Sequence, residues 1–211
     1  VDEYNANEVT SETASSSTVL IQIPAAIKIK SITTEKNSAS IGQEGFDLFV
    51  EIENLGGAKA EIDEISFKIK NSNGVDISNS FAEVRKNSEV NSVNGGKTVI
   101  FGFDMSIADS VSKGEITIDA TCNGRDSNND LEISDDGADA VKKITLQTPA
   151  KLSIQSVVAT ALKASTGQSN LEVSVTITNQ GEAKALMTSV PLIFSLSNVP
   201  VTGQYIQTPS S

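Results

Sequence analysis

Along residues 45–54 apolar and polar positions alternate, with Phe46, Leu48, Val50 and Ile52 set against Asp47, Phe49, Glu51 and Glu53. A period of two is what a strand with one face in a core requires. The same alternation returns downstream, where Leu171, Val173, Val175 and Ile177 face Glu172, Ser174, Thr176 and Thr178. Around the first of these the pattern predicts a strand over 26–33 and another over 60–70 carrying Ile62, Ile65, Phe67 and Ile69, closed by a turn at 71–74. The stretch 75–94 is polar and poorly patterned, which predicts a short strand plus loop. Beyond Gly95 and Gly96, one strand puts Val99, Phe101, Phe103 and Met105 on a single face, a second carries Ile116, Ile118, Ala120 and Cys122, and 141–148 reads as the last. About seven short strands separated by turn signals, with no convincing helix, predict an all-β, immunoglobulin-like Greek-key sandwich.

The two alternating strands belong to a longer repeat. Residues 24–60 align with 149–185 at a constant offset of 125 without a gap, giving 15 identities in 37 positions. They include Pro24/Pro149, Gly42/Gly167, Asn54/Asn179, Gly56/Gly181 and Ala58-Lys59-Ala60 against Ala183-Lys184-Ala185. Most other pairs keep their class, as Ile27/Leu152, Ile32/Val157, Phe46/Leu171 and Leu48/Val173 do, so what recurs is an inward face. The Asn-x-Gly-x-Ala corners, present in both copies, point to a turn geometry rather than a binding loop.

The repeat divides the chain into 1–23, 24–148 and 149–211. Val19–Pro24 matches Ile144–Pro149 at the same offset, and Glu8-Val9-Thr10 resembles Glu132-Ile133-Ser134 with one gap, so the first 23 residues read as the last strand or hairpin of a unit whose body is absent. The second copy has A, B and C strands, with Val190, Leu192, Phe194 and Leu196 apolar, but no equivalent of the Phe101 and Ile116 strands. A sandwich without its central strands leaves unpaired backbone and uncovered side chains. Three outcomes stay open: a reduced sheet closed by a Tyr205 strand that echoes Leu146–Pro149, a longer repeat protein cut at both ends, or completion by a strand of another copy. In the last case Val19, Ile21 and Ile23 of one chain would lie against Leu171, Val173, Leu192 or Phe194 of the next, an open heterologous contact that builds a homopolymer.

Composition narrows the chemistry. The chain has no His and no Trp, and its 27 acidic against 16 basic residues give a net charge of −11. That excludes a His-dependent triad and the common zinc sites, and it makes nucleic acid and anionic membrane poor partners. No apolar run is long enough to span a bilayer. The chain begins at Val1 without a signal-like segment and reads as a mature or excised chain. With no base to activate Ser or Thr, no nucleophile elbow and no phosphate loop, a non-enzymatic protein is expected. Scarce aromatics, with Tyr4 and Tyr205 both near the ends, argue against stacking on sugars.

Two features have alternative readings. Cys122 shares a face with Ile116, Ile118 and Ala120, which suggests a buried small hydrophobe, with an intermolecular disulfide as the other reading. Asp126, Asn128, Asp130 and Glu132 alternate oxygen side chains that could curl around calcium, although Leu131 and Gly137 break the EF-hand pattern; the plain reading is a solvated acidic turn.

The order of motifs, an Asn-x-Gly-x-Ala corner, a Gly-Gly before Thr98-Val99-Ile100-Phe101, a Gly-initiated Ile116-Thr117-Ile118-Asp119-Ala120 strand and an acidic hairpin, resembles the cell-adhesion-related (CARDB-like) domain of bacterial and archaeal surface proteins. The resemblance covers 24–148 fully and 149–197 in part. It implies an immunoglobulin-like fold in long extracellular proteins, and such a fold does not fix a function. The expectation is an extracellular structural subunit that assembles head-to-tail by strand complementation, or else a spacer or adhesion module of a cell-surface protein.

Overall fold

The computed structural model describes residues 18–86, 88–165, 167–196 and 199–200. Its strands are β1 Ile27–Thr34, β2 Ser38–Ser40, β3 Phe46–Asn54, β4 Ala60–Asn71, β5 Phe81–Arg85, β6 Ser92–Val93, β7 Thr98–Ile107, β8 Gly114–Asp126, β9 Glu132–Asp135, β10 Lys142–Gln147, β11 Leu152–Ala159 and β12 Val173–Asn179. Two-residue strands follow at Ser195–Leu196 and Val199–Pro200. The alternating run of β3 does what its pattern requires: every second residue from Phe46 to Asn54 is buried.

β1 to β10 form an immunoglobulin-like sandwich. One sheet runs β1-β3-β7-β5, and the other runs β2-β10-β8-β4-β6 with β9 on the C-terminal half of β8. This is the division expected of the fold, with the first, second, fifth and fourth main strands in one sheet facing the others. The first strand splits between layers, because β2 leaves β1 to pair in parallel with β10. Leu48, Val50 and Ile52 of one sheet share the core with Ile69, Ile118 and Leu146 of the other. Phe67 and Phe103 meet edge to face across the layers, with ring centroids 4.8 Å apart.

Two bulges explain breaks in period. In β1 the register shifts between Ile29 and Ser31, so the inward set passes from Ile27 and Ile29 to Ile32. In β4 it shifts between Ile62 and Glu64, moving the inward set from Ala60 and Ile62 to Ile65 and Ile69. Gly124 lies against the second bulge, where a Cβ would sit 2.2 Å from the carbonyl oxygen of Glu61. The polar stretch after residue 75 holds a 3₁₀ turn at Ser78–Ser80 and then β5 and β6.

In the second copy β11 and β12 pair antiparallel with the register of β1 and β3, down to the same bulge between Ile154 and Ser156. The expected C strand does not form, since residues 184–194 contain no strand. Its counterpart β4 is held mainly by β8, and the second copy has no equivalent of β8 among the described residues. The expected closing strand through Tyr205 and residues 1–17 of the leading segment lie outside the described residues.

Candidate assembly interface

The repeated corner is built, in the first copy, around one buried amide. Asn54 ends β3 on its inward face, fully buried. Its Oδ1 accepts from the backbone N–H of Ala26 (3.1 Å) and Gly56 (3.0 Å), while its Nδ2 donates to the carbonyls of Ala58 (2.8 Å) and Val93 (3.0 Å). All four hydrogen bonds that the amide favours are made. The corner packs so closely on the incoming chain that a Cβ at Gly56 would lie 1.9 Å from the Pro24 carbonyl oxygen. That carbonyl's predecessor, Ile23 O, accepts from both Gly57 N (3.0 Å) and Ala58 N (2.9 Å).

The second corner repeats this geometry. Asn179 Oδ1 accepts from Lys151 N and Gly181 N, Nδ2 donates to Ala183 O at 2.8 Å, and a Cβ at Gly181 would lie 1.8 Å from Pro149 O. Thr148 O accepts from Glu182 N (3.2 Å) and Ala183 N (3.0 Å), as Ile23 O does in the first corner. Among the described residues β6 has no equivalent in the second copy and the Val93 bond no counterpart, and Asn179 is exposed. Glu182 adds contacts that Gly57 cannot make. Its Oε1 accepts from Lys113 Nζ at 2.6 Å, and its Oε2 accepts from Thr148 N (3.1 Å) and Thr148 Oγ1 (3.3 Å). The Lys113 ammonium, followed by the Thr148 N–H, holds the Glu182 carboxyl below the usual range.

The acidic hairpin sews the open edge of the sandwich. Asp126 is buried, its Oδ2 accepting from Ala25 N at 2.7 Å and its Oδ1 from Asn128 N at 2.8 Å, and these N–H groups pull its pKa down. Asp135 Oδ2 likewise accepts from Ile29 N (2.7 Å) at the β1 bulge. Asn128 Nδ2 reaches Gln22 Oε1 at 3.1 Å, Asp130 turns the chain with φ 58°, and Glu132 stands exposed on β9. Among the described residues no three His, Cys, Asp or Glu side chains are grouped to hold a metal ion. The sequence carried a signal for Asp126, which continues the inward parity of Ile116, Ile118, Ala120, Cys122 and Gly124. Asp135 had no such local signal. Cys122 is fully buried, and burial pushes its thiol up to about 12.

The apolar residues proposed for contacts between chains lie on two surfaces. Val19 is 84% exposed and Ile21 91%, on a segment that is not a strand from residue 18 to 26, with Ile23 also exposed. On the second copy Leu171, Val173, Val175 and Ile177 are half-buried, as are Leu192 and Phe194, whereas Ile154 and Val157 of β11 are exposed. Among the described residues no strand pairing joins residues 18–26 to β11 or β12.

No family model matches the chain, and no curated protein does. Solved structures similar to it include the Escherichia coli α2-macroglobulin from domain MG7 to its C-terminus, at 14% identity and a TM-score of 0.40, covering 65% of this chain and 19% of that one. A FixG-related protein from Vibrio parahaemolyticus matches at 13% identity and 0.35, covering 58% and 96%. A CARDB domain from Pyrococcus furiosus, in complex with di-metal ions, matches at 13% and 0.32, covering 65% and 99%. What those proteins bind does not carry over.

Proposed function

We propose that this chain is a non-catalytic, structural stretch of an extracellular or cell-surface protein in which immunoglobulin-like units follow one another in a stiff row. The observation behind this reading is the repeated joint. At both places where a unit begins, the residue before Pro24 or Pro149 is held through its carbonyl by two N–H groups of the incoming unit's own corner. Only residues 148–151 separate β10 from β11. Flexible boundaries between domains are exposed and make few contacts, whereas here the connector is part of the fold. The resemblance to cell-adhesion-related domains favours placement outside the cell, and among the described residues no helix is long and apolar enough to cross a membrane. Nucleic acid is not among the partners of this reading. The test is a chain in which 24–148 recurs several times with Thr148 joined directly to Pro24, and with Gly57→Glu in each repeat so that every joint has the corner of the joint at Pro149. Electron microscopy should show straight rods that lengthen by a constant step per repeat, and bent strings of beads would overturn the reading.

A second reading, homopolymer assembly by strand addition, is favoured by the match of Val19 and Ile21 to Ile144 and Leu146. Those two are buried in β10, which pairs with β2 in parallel. The counterpart of β2 in the second copy is 163–165, so the leading segment of one chain would add there on the next. Light scattering of the full chain and of a chain lacking residues 1–23 decides it: growth of the first alone supports strand addition, and two monomers refute it.

A further inference from the structure

The two corners differ at one position that matters to the joint. Gly57 has no side chain, whereas its counterpart Glu182 ties three points together. Its own backbone N–H donates to Thr148 O (3.2 Å) and Thr148 Oγ1 (3.1 Å), and its Oε2 accepts back from Thr148 N (3.1 Å) and Oγ1 (3.3 Å). Its Oε1 then accepts from Lys113 Nζ at 2.6 Å, and Lys113 belongs to the loop between β7 and β8 of the first sandwich. The bonds to Thr148 lie along the covalent connection and leave rotation about it open. The Lys113 contact lies off that line and opposes rotation. We propose that Glu182 is the positioning residue of the joint, locking the second unit in one orientation on the first through Lys113 and Thr148.

This inference deepens the tandem reading by naming what fixes the angle between units. Both partners are about half exposed, with side-chain accessibilities of 58% and 43%, and such pairs add little to folding stability. The staple therefore acts on orientation, and its loss should leave the melting of the first sandwich unchanged. The lock is also charge-assisted, so salt screens it.

The experiment is a spin-label distance distribution on the full chain, with nitroxides at Glu64→Cys in the first sandwich and Gln180→Cys in the corner that Glu182 holds, both exposed positions. Cys122 stays in place, since it is buried and its thiol is not ionised near neutral pH. The parent is expected to give one narrow distribution. Glu182→Ala and Lys113→Ala should each widen it about two-fold or more, Glu182→Gln should fall between, and 1 M NaCl should move the parent toward Glu182→Ala. Glu115→Ala, which breaks an ion pair to Lys143 (2.8 Å) inside the first sandwich, should leave the width alone. A width for Glu182→Ala and Lys113→Ala equal to the parent's, with the parent narrow, overturns the staple and spares the stiff joint. A parent already broad at low salt overturns both, and broadening by Glu115→Ala as large as that by Glu182→Ala overturns the assignment to this contact.

Discussion

Ile29 and Ile154 occupy the same position of the same strand in two copies of one pattern, yet Ile29 is 1% exposed and Ile154 62%. Ile32 and Val157, the first apolar residues beyond the bulge, differ as much, at 5% and 57%. Pairing, bulge and corner are the same in both copies, so 37 residues of sequence suffice for local geometry. Burial is not carried by those residues. It comes from β4, β8 and β10, which face β1 and β3 in the first unit and have no counterpart strands over the second among the described residues. A two-stranded sheet without a covering layer is marginal in water, and the comparison predicts that the second unit contributes little to stability.

The largest effect should separate the two valines at the centre of the repeated strands. Val50→Asp places an unpaired charge in a fully buried site and is expected to cost on the order of 4 kcal/mol or more. Val175→Asp should leave the unfolding free energy of the first sandwich within about 0.5 kcal/mol of the parent's value. Urea melts of the two variants check this, and equal losses would break the comparison.

The corners come next. Asn54→Ala removes four hydrogen bonds from a buried site and should destabilise by about 3 kcal/mol, because the carbonyls and N–H groups it served are left unmatched. Asn179→Ala, in an exposed corner with one bond fewer, should change the urea midpoint hardly at all. If Asn54→Ala is also silent, the corner is a passive turn.

A smaller effect is expected from acid. Asp126 has a folded pKa below its unfolded value, so its contribution is present above the unfolded value near about 4 and is lost as pH falls through the lowered folded one. Urea midpoints measured from pH 6 down to pH 2 should fall in that window, and Asp126→Asn should start lower and fall less. The smallest effect concerns calcium. Since Asp126 is committed to Ala25 and Asn128, millimolar calcium should leave the melting temperature of the first sandwich where chelator leaves it. A rise that Asp130→Ala abolishes would restore the cation reading of the hairpin.

Much of this was legible in the sequence, and the gaps follow one rule. Strands whose inward face is marked by alternation, such as β3, β7 and β8, were read to within a few residues. The period break in β4 was visible as Ile62 followed by Ile65, but the bulge that causes it depends on Gly124, 62 residues later in the chain. The acidic hairpin was read as a solvated turn or a cation site because its partners, Ala25 N and Ile29 N, lie about a hundred residues away. The C strand of the second unit was expected, with Val190, Leu192, Phe194 and Leu196 as apolar surface, and only Ser195–Leu196 of that stretch is a strand. Residues 184–194 form none because a strand needs a neighbour, and among the described residues no strand lies beside them.

The central claim is that the repeated residues carry the strand pairing of the unit, and that among the described residues nothing covers that pairing in the second copy. Native-state hydrogen exchange on the dilute, monomeric chain tests this most directly, by comparing amides of residues 48–52 in β3 with those of residues 173–177 in β12. The account predicts that β3 exchanges only through global unfolding, and that β12 exchanges faster by several orders of magnitude. Equal protection of the two strands would contradict it, since it would mean that the second unit has closed a core of its own.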